Sequence, residues 1–259
     1  MIRHSIFFIC TFILASVINL LNSQEVIAPK LSSIRGDVIW TGNSSEEWND
    51  PLNWDLNEIP GTYSEVTIPS SPMGGNYPII SYESVAECNT LTIEQGSSLQ
   101  IRGFLTVHGN VSNADQDALV ILSDEAGTGS LIHSSGILTA TVQRYLTDGT
   151  NHFIGATVDD ASLQDLFFNN DPTVYLYQYN ESAGDWTTIS DLNTTIIPGI
   201  GYSVYVSDVK NRQDVTAIFT GHLRTSDIEL SGSNLSYTAE SPYPGSNLIS
   251  NPFSSALSW

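Results

Sequence analysis

Leu91-Thr92-Ile93, Leu99-Gln100-Ile101, Leu105-Thr106-Val107 and Leu119-Val120-Ile121 place an apolar residue at both ends of each three-residue run. A period of two marks a strand with one buried face, whereas a helix needs apolar positions three and four apart. Between the runs stand Gln95-Gly96-Ser97-Ser98, His108-Gly109-Asn110 and, further on, Glu125-Ala126-Gly127-Thr128-Gly129, all turn-forming. Leu131-Ile132 and Ile137-Leu138 carry the pattern forward, and strand starts fall six to fourteen residues apart. Very short strands with polar corners suit the rungs of a right-handed parallel β-solenoid, where each coil buries its interior against its neighbours. An antiparallel sandwich is the alternative for residues 24–146.

Outward from this stretch the reading stays all-β. The one short helical candidate is Ala161-Ser162-Leu163-Gln164-Asp165-Leu166-Phe167, with Asp159 or Asp160 as its N-cap. Beyond Gln143-Arg144-Tyr145-Leu146, the segment Thr147-Asp148-Gly149-Thr150-Asn151 reads as a turn-rich connector, which puts a domain boundary near residue 147. Val174-Tyr175-Leu176-Tyr177-Gln178-Tyr179 sets three tyrosines on one strand face and Val174 and Leu176 on the other. Asn180 to Asp185 then turns into Trp186-Thr187-Thr188-Ile189, a hairpin. Gly199 to Val206 is a further strand, and Val215-Thr216-Ala217-Ile218-Phe219 with Asp227-Ile228-Glu229-Leu230 reads as a second pair. Residues 147–259 are therefore expected to form an antiparallel β-sandwich-like module.

The first 23 residues have a different character. Arg3 provides a positive start, Ser5 to Leu21 carries no charge, and Asn22-Ser23 precedes Gln24-Glu25. That is the layout of a secretory signal peptide cut after Ser23, and it predicts a secreted or cell-surface protein with no membrane insertion after cleavage. The rival is a retained membrane anchor, against which Thr11, Ser16, Asn19 and the lack of a basic stop-transfer cluster all argue. Across 259 residues there are 28 acidic and 8 basic side chains, a net charge of -20. Without Arg3 the expected mature charge is -21, from 7 basic and 28 acidic residues. Lys30 and Lys210 are the only lysines. Such a balance excludes nucleic acid and anionic membranes as partners, because neutralising phosphates requires a basic surface. It leaves calcium as a possible counter-ion. Of the two cysteines, Cys10 lies in the leader, so Cys88 cannot form an internal disulfide and reads as a small buried hydrophobe.

Two groups of residues are candidate binding sites. Trp40-Thr41-Gly42, Trp48 and Asn53-Trp54 place three indoles within fifteen residues. Flat aromatics can stack on sugar rings, and Tyr175, Tyr177 and Tyr179 could do the same. The competing reading of the tryptophans is a cap plugging the open end of a solenoid. Asn113, Asp115 and Asp117 alternate as oxygen ligands, with Asp124 further on, in the manner of a calcium loop. Ala118, however, stands where the tight-turn glycine of such a loop belongs. No catalytic motif occurs: Gly-x-Ser-x-Gly, His-Glu-x-x-His and a phosphate-cradling glycine loop are all missing, and His108, His133, His152 and His222 are scattered singly. A non-enzymatic chain is expected. Sequons at Asn43, Asn110, Asn180, Asn193 and Asn234 would be glycosylated in a eukaryotic secretory protein.

Several strings together resemble the large secreted and surface proteins of Bacteroidetes. Trp40-x-Gly42, Trp48, Asn53-Trp54, Pro60 and Val66-x-Ile68-Pro69 are similar to the start of their adhesin-like β-solenoid regions. Ala140 to Leu146 is similar to the segment that ends such a solenoid. Tyr177-x-Tyr179-Asn180, Trp186, Gly199-x-Gly201-Tyr202 and Phe219-x-Gly221-x-Leu223 resemble the β-rich module that follows, as does Asn247-Leu248-x-x-Asn251-Pro252-Phe253-Ser254-Ser255-Ala256-Leu257-Ser258-Trp259. Phe253, Ser254 and Ser258 depart from the family pattern of Tyr, Pro and Asp. The resemblance implies export, surface display and further sequence beyond Trp259, often a type IX secretion sorting domain, so the chain is expected to be a truncated N-terminal portion. It carries over no catalytic residue. The expected function is an adhesin-like or structural segment of a larger secreted protein, meeting extracellular glycans or surface proteins. The alternatives are a carbohydrate-binding accessory region of a polysaccharide-degrading system and, further off, a β-solenoid glycan hydrolase or lyase.

Overall fold

The structure is a computed structural model that describes residues 36–134, 138–159, 161–166, 174–191, 193–207, 215–232 and 234–256. The expected leader (1–23), Lys30, Asp160, Lys210 and Leu257-Ser258-Trp259 lie outside the described residues. The first strands, in chain order, are β1 (Gly36–Ile39), β2 (Ser64–Ile68), β3 (Ile79–Ile80), β4 (Val85–Cys88), β5 (Thr90–Ile93) and β6 (Leu99–Ile101). Next come β7 (Phe104–Val107), β8 (Val111–Asn113), β9 (Leu119–Ile121), β10 (Ser123–Asp124), β11 (Gly127–Thr128), β12 (Ser130–His133) and β13 (Leu138–Leu146). The chain continues with β14 (Thr150–Ile154), β15 (Val174–Asn180), β16 (Asp185–Thr188), β17 (Tyr202–Val206) and β18 (Val215–Leu223). The fold is all-β: the described helical turns are two short 3₁₀ pieces, Pro51–Asn53 and Leu163–Leu166. The second of these is what becomes of the helical candidate. No described helix is long and apolar enough to cross a membrane.

Residues 36–134 and 138–146 form a parallel solenoid with three faces. One face stacks β1-β2-β5-β8, the second β4-β7-β12 and the third β3-β6-β9-β13, every pair parallel. The chain visits the faces in turn, β3 to β4 to β5 and then β6 to β7 to β8. Leu91 lies beside Val111 and Leu99 beside Leu119, a rise of 20 residues per coil in both cases (91 to 111, 99 to 119). Period-two alternation therefore builds columns of like side chains in the interior. Val38, Val66, Leu91 and Val111 form one, Ile80, Ile101, Ile121 and Val142 another, and Ala86, Leu105 and Leu131 a third, all buried. Each fully buried Leu or Ile in such a column contributes roughly 1.5–3 kcal/mol relative to exposure. The β10–β11 hairpin is an outward insertion, fixed by an exposed Arg102–Asp124 pair at 2.6 Å that adds little stability.

β13 changes the architecture. It meets β9 through Thr141 and Val142 alone, but pairs antiparallel with β18 along its whole length, from Leu138 opposite Leu223 to Leu146 opposite Val215. One sheet thus holds strands from both sides of residue 147. This corrects the expected pairing of 215–219 with 227–230, which lies in no strand. The register explains the choice: Val215, Ala217, Phe219 and Leu223 turn inward beside Leu146, Val142 and Leu138, a burial that the Asp227-Ile228-Glu229-Leu230 segment cannot match.

The second sheet is antiparallel, in the order β14-β17-β15-β16. Thr150 and Asn151, read as connector, are instead the first residues of β14. Val174, Leu176, Val204, Val206, Ile154 and Tyr202 form its buried face. The segment from Leu248 to Ser254 joins this sheet region to the solenoid. Gly201 N–H donates to Leu248 O (2.9 Å), Leu131 N–H donates to Ser254 O (3.1 Å), and Ser254 Oγ donates back to Leu131 O (2.9 Å).

Candidate functional site

Pairing in the antiparallel sheet determines what its outer face displays. Asn180 starts a tight turn, its Oδ1 accepting from Ser182 Oγ (2.9 Å) and Ala183 N–H (3.3 Å), and Gly184 completes it in the left-handed region at φ 64°. The turn sets Trp186 opposite Tyr179. Tyr175 falls opposite Tyr205, while Tyr177 and Phe153 flank Ser203 from its two sides. Because Val174 and Leu176 are buried, the alternation sends Tyr175, Tyr177 and Tyr179 outward together with Phe153, Trp186 and Tyr205.

These six rings form one surface. Phe153 and Trp186 are nearly parallel, 6.0 Å apart with 12° between planes; Tyr179 meets Trp186 edge-on at 5.3 Å, and Tyr175 lies 6.2 Å from Tyr205. Phe153 is 69 % exposed, Tyr175 45 % and Trp186 39 %, high values for large apolar side chains. A depression of about 410 Å³ opens between them, lined by Asn151, Phe153, Tyr177, Trp186, Ser203 and Tyr205. Flat apolar faces rimmed by an amide and phenol hydroxyls can stack on a ring and hydrogen-bond its edge. The scaffold beneath is fixed at the hairpin end by Glu181, which is buried and accepts from Thr238 N–H (2.9 Å) and Gly245 N–H (2.8 Å). The Gly245 N–H, with lesser help from Thr238, holds this carboxyl below its usual range against the opposing effect of burial.

The three N-terminal tryptophans have the opposite environment. Trp40, Trp48 and Trp54 are 0 %, 0 % and 1 % exposed and meet edge-to-face, Trp54 touching Trp40 at 5.0 Å and Trp48 at 4.7 Å. They present no ring to solvent, so of their two readings the burial fits the cap and overturns Trp40, Trp48 and Trp54 as a sugar-stacking platform. Trp40 Nε1 donates to Asn76 O (2.7 Å) and Trp54 Nε1 to Trp48 O (2.8 Å). Asn53, fully buried, accepts from Ser44 and Ser45 N–H (2.8 Å each) and donates to Glu47 O. The segment covers the solenoid end: Trp40 N–H bonds Thr67 O beyond β1, Trp48 N–H bonds Ile79 O on β3, and Asn49 Nδ2 reaches Val85 O on β4. Gly42 is required here, at φ 62°, because a Cβ would lie 2.3 Å from Asn76 O.

Asn113, Asp115 and Asp117 do not converge. Asn113 Nδ2 donates to Asp115 O (2.9 Å) and Thr139 O (2.6 Å), Asp115 Oδ2 accepts from Gly96 N–H (2.9 Å) on the coil before, and Asp117 points to solvent. The alternation read as a calcium loop is a solenoid corner stitched to its neighbour. Among the described residues no three His, Cys, Asp or Glu come together as metal donors. Asp159 pairs with Arg224 rather than capping a helix. Cys88 is fully buried on β4, and burial, with Glu87 adding to it, pushes its thiol up to about 12.

With this geometry in place, the comparison with protein families is informative. The family model described as a domain of unknown function, DUF8693, matches residues 39–259. The chain belongs to that family. The DUF8693 domain therefore starts at the last residue of β1 and takes in the tryptophan plug, the solenoid and the aromatic sheet as one unit of sequence. No curated protein and no solved structure matches the chain.

Tyr175, Tyr177 and Tyr179 are brought together with three residues that the sequence reading missed. Trp186 was available from the hairpin, since a turn over 180–185 puts it across from Tyr179. Tyr205 follows from the same alternation in Tyr202-Ser203-Val204-Tyr205-Val206. Phe153 gave no signal, because His152-Phe153-Ile154 is a short run beside a glycine turn.

Proposed function

We propose that this DUF8693 chain is a non-enzymatic, adhesin-like segment of a secreted or surface-displayed bacterial protein, and that it holds extracellular glycans on the face bearing Phe153, Tyr175, Tyr177, Tyr179, Trp186 and Tyr205. The observation that carries the reading is the grouping of those six rings, Phe153, Tyr175 and Trp186 exposed and Tyr177, Tyr179 and Tyr205 half-buried, on one face of a sheet whose other face is buried. Isolated exposed aromatics are ordinary, but a contiguous group around a depression is typical of a binding surface. The leader, the acidic composition and the resemblance to Bacteroidetes surface proteins support the extracellular setting. The lack of catalytic motifs supports binding rather than turnover.

The test is a glycan array probed with the purified chain and with Trp186→Ala and Phe153→Ala. Reproducible binding to one polysaccharide class is expected, weakened about tenfold by either substitution, the equivalent of about 1.4 kcal/mol from one stacked ring. Circular dichroism should be unchanged in both variants. No glycan bound across the array, or binding indifferent to both substitutions, overturns the reading.

A further inference from the structure

Arg144 breaks the pattern of its own strand. On β13 the inward positions Leu138, Ala140, Val142 and Leu146 are buried hydrophobics, and Arg144 has the same parity. It lies opposite Ala217, itself fully buried and small enough to leave room for the guanidinium on the apolar side of the sheet. The side chain lines a cleft of about 320 Å³ together with Phe153, Thr157, Ser250 and Asn251.

None of the residues lining this cleft is acidic. Arg144 Nη1 donates to Gln143 O (2.7 Å), and no carboxylate among the described residues faces the guanidinium. The other two described arginines do hold one, Arg102 with Asp124 and Arg224 with Asp159. Thr157 is 2 % exposed and its Oγ1 has no hydrogen-bond partner. Ser250 Oγ donates to Ile200 O (3.0 Å), and Asn251 uses Nδ2 on Ser255 O (2.6 Å) and Oδ1 on Phe253 N–H (3.0 Å), so neither supplies a negative charge. A partly buried cation without a counter-charge and a buried hydroxyl without a partner each cost free energy. One oxyanion would satisfy both, since the guanidinium fork fits the paired oxygens of a carboxylate or sulfate. Burial alone already lowers Arg144 to about 10, as expected for a cation short of a partner.

We infer that the Arg144 cleft is a binding site for a single small oxyanion, held by the guanidinium and the Thr157 hydroxyl. The net charge of -20 disfavours a polyanion, which confines the site to one acidic group. Phe153 lines both this cleft and the aromatic depression, so a sugar-borne carboxylate is one source of the anion and a free inorganic anion the other. The site stands on Arg144 and Thr157 and does not need the glycan reading. Only the choice between the two sources involves Phe153.

Thermal unfolding of the full chain at pH 7 and constant ionic strength tests this, with sodium sulfate or sodium glucuronate replacing sodium chloride and with glucose added at unchanged sodium chloride as the neutral control. A saturable rise in Tm with sulfate or glucuronate and none with glucose is expected, the folding constant increasing about 11-fold at ten times Kd. Arg144→Gln should abolish the response. Arg144→Met should abolish it while leaving the anion-free Tm equal to or above that of the wild type. Thr157→Val, which keeps the shape, should weaken the response without lowering the anion-free Tm, and it serves if the Arg144 variants do not fold. A glucuronate response weakened by Phe153→Ala, with the sulfate response intact, assigns the site to an acidic sugar. Equal responses untouched by Phe153→Ala assign it to free anions. No saturable response in the wild type beyond that in chloride, or the same response in Arg144→Gln, overturns the proposal.

Discussion

Trp54 and Trp186 are the same residue in opposite situations, and the regions that contain them differ in the same way. The solenoid repeats a coil, fills its interior with aliphatic columns and has an open end, and its three tryptophans are drawn inside to close that end. The antiparallel sheet buries its aliphatics and Tyr202 on one face, and its other aromatics stand on the opposite one. Composition does not distinguish the two uses. What distinguishes them is whether the backbone around the ring offers unpaired strand ends to cover or a finished sheet to stand on.

The strongest way to break this contrast is to truncate both indoles. Trp54→Ala should destabilise the chain by about 3–5 kcal/mol, the usual cost of emptying a large buried aromatic site, read as a lowered urea midpoint. Cys88 provides an internal reporter of the same event. Buried and with its thiol pushed up to about 12, it should resist thiol reagents at pH 8 in the wild type and react readily in Trp54→Ala. If Trp54→Ala melts like the wild type, the plug is not what holds the solenoid end.

Acid sharpens the comparison next, because the sheet region has a sensitivity that the solenoid interior lacks. Glu181 has a folded-state pKa held below its unfolded value by the Gly245 and Thr238 N–H groups. Its contribution is therefore complete above an unfolded carboxyl pKa of about 4.3 and is lost as pH falls through the lower folded value. Glu181→Gln should melt lower than wild type at pH 7, and the difference should shrink on acidification below that point. A difference that stays constant from pH 7 to pH 3 would show that the charge of Glu181 is not involved. The smallest expected effect is on the stability of Trp186→Ala, within about 1 kcal/mol of wild type, since an exposed ring loses little packing. A loss as large as that of Trp54→Ala would mean that the outer face is a core for something else.

Much of the fold was legible because a strand of three or four residues declares its buried face by alternation alone. Leu99-Gln100-Ile101 and Leu119-Val120-Ile121 need no further context to read as strands, whereas the polar corners between them suited stacked coils and left a sandwich open. Long-range pairing was not legible: β18 starts 69 positions after β13 ends (146 to 215), and nothing local marks Val215 as the partner of Leu146. The binding face was half legible. Its tyrosines announced themselves, whereas Phe153 depends on β14 pairing with β17, a choice made by the sheet and not by the residues next to it. The tryptophans misled in one respect, since an indole reads the same in a plug as on a platform until its burial is known. Arg144 was quoted only as part of a motif, and its charge took on meaning when its neighbours on β13 proved to be core.

The direction of β18 has one further consequence. A stack of parallel rungs is a template, and a bare last rung offers another molecule the same hydrogen-bonding edge that each rung offers the next, the first step towards an end-to-end fibre. On the third face the rung after β9 is β13, and β13 is already taken along its whole length by a strand of opposite polarity. On the second face, Ser254 occupies both the N–H and the carbonyl of Leu131. With the indole plug at the other end, these two faces carry the equivalent of a chain terminator.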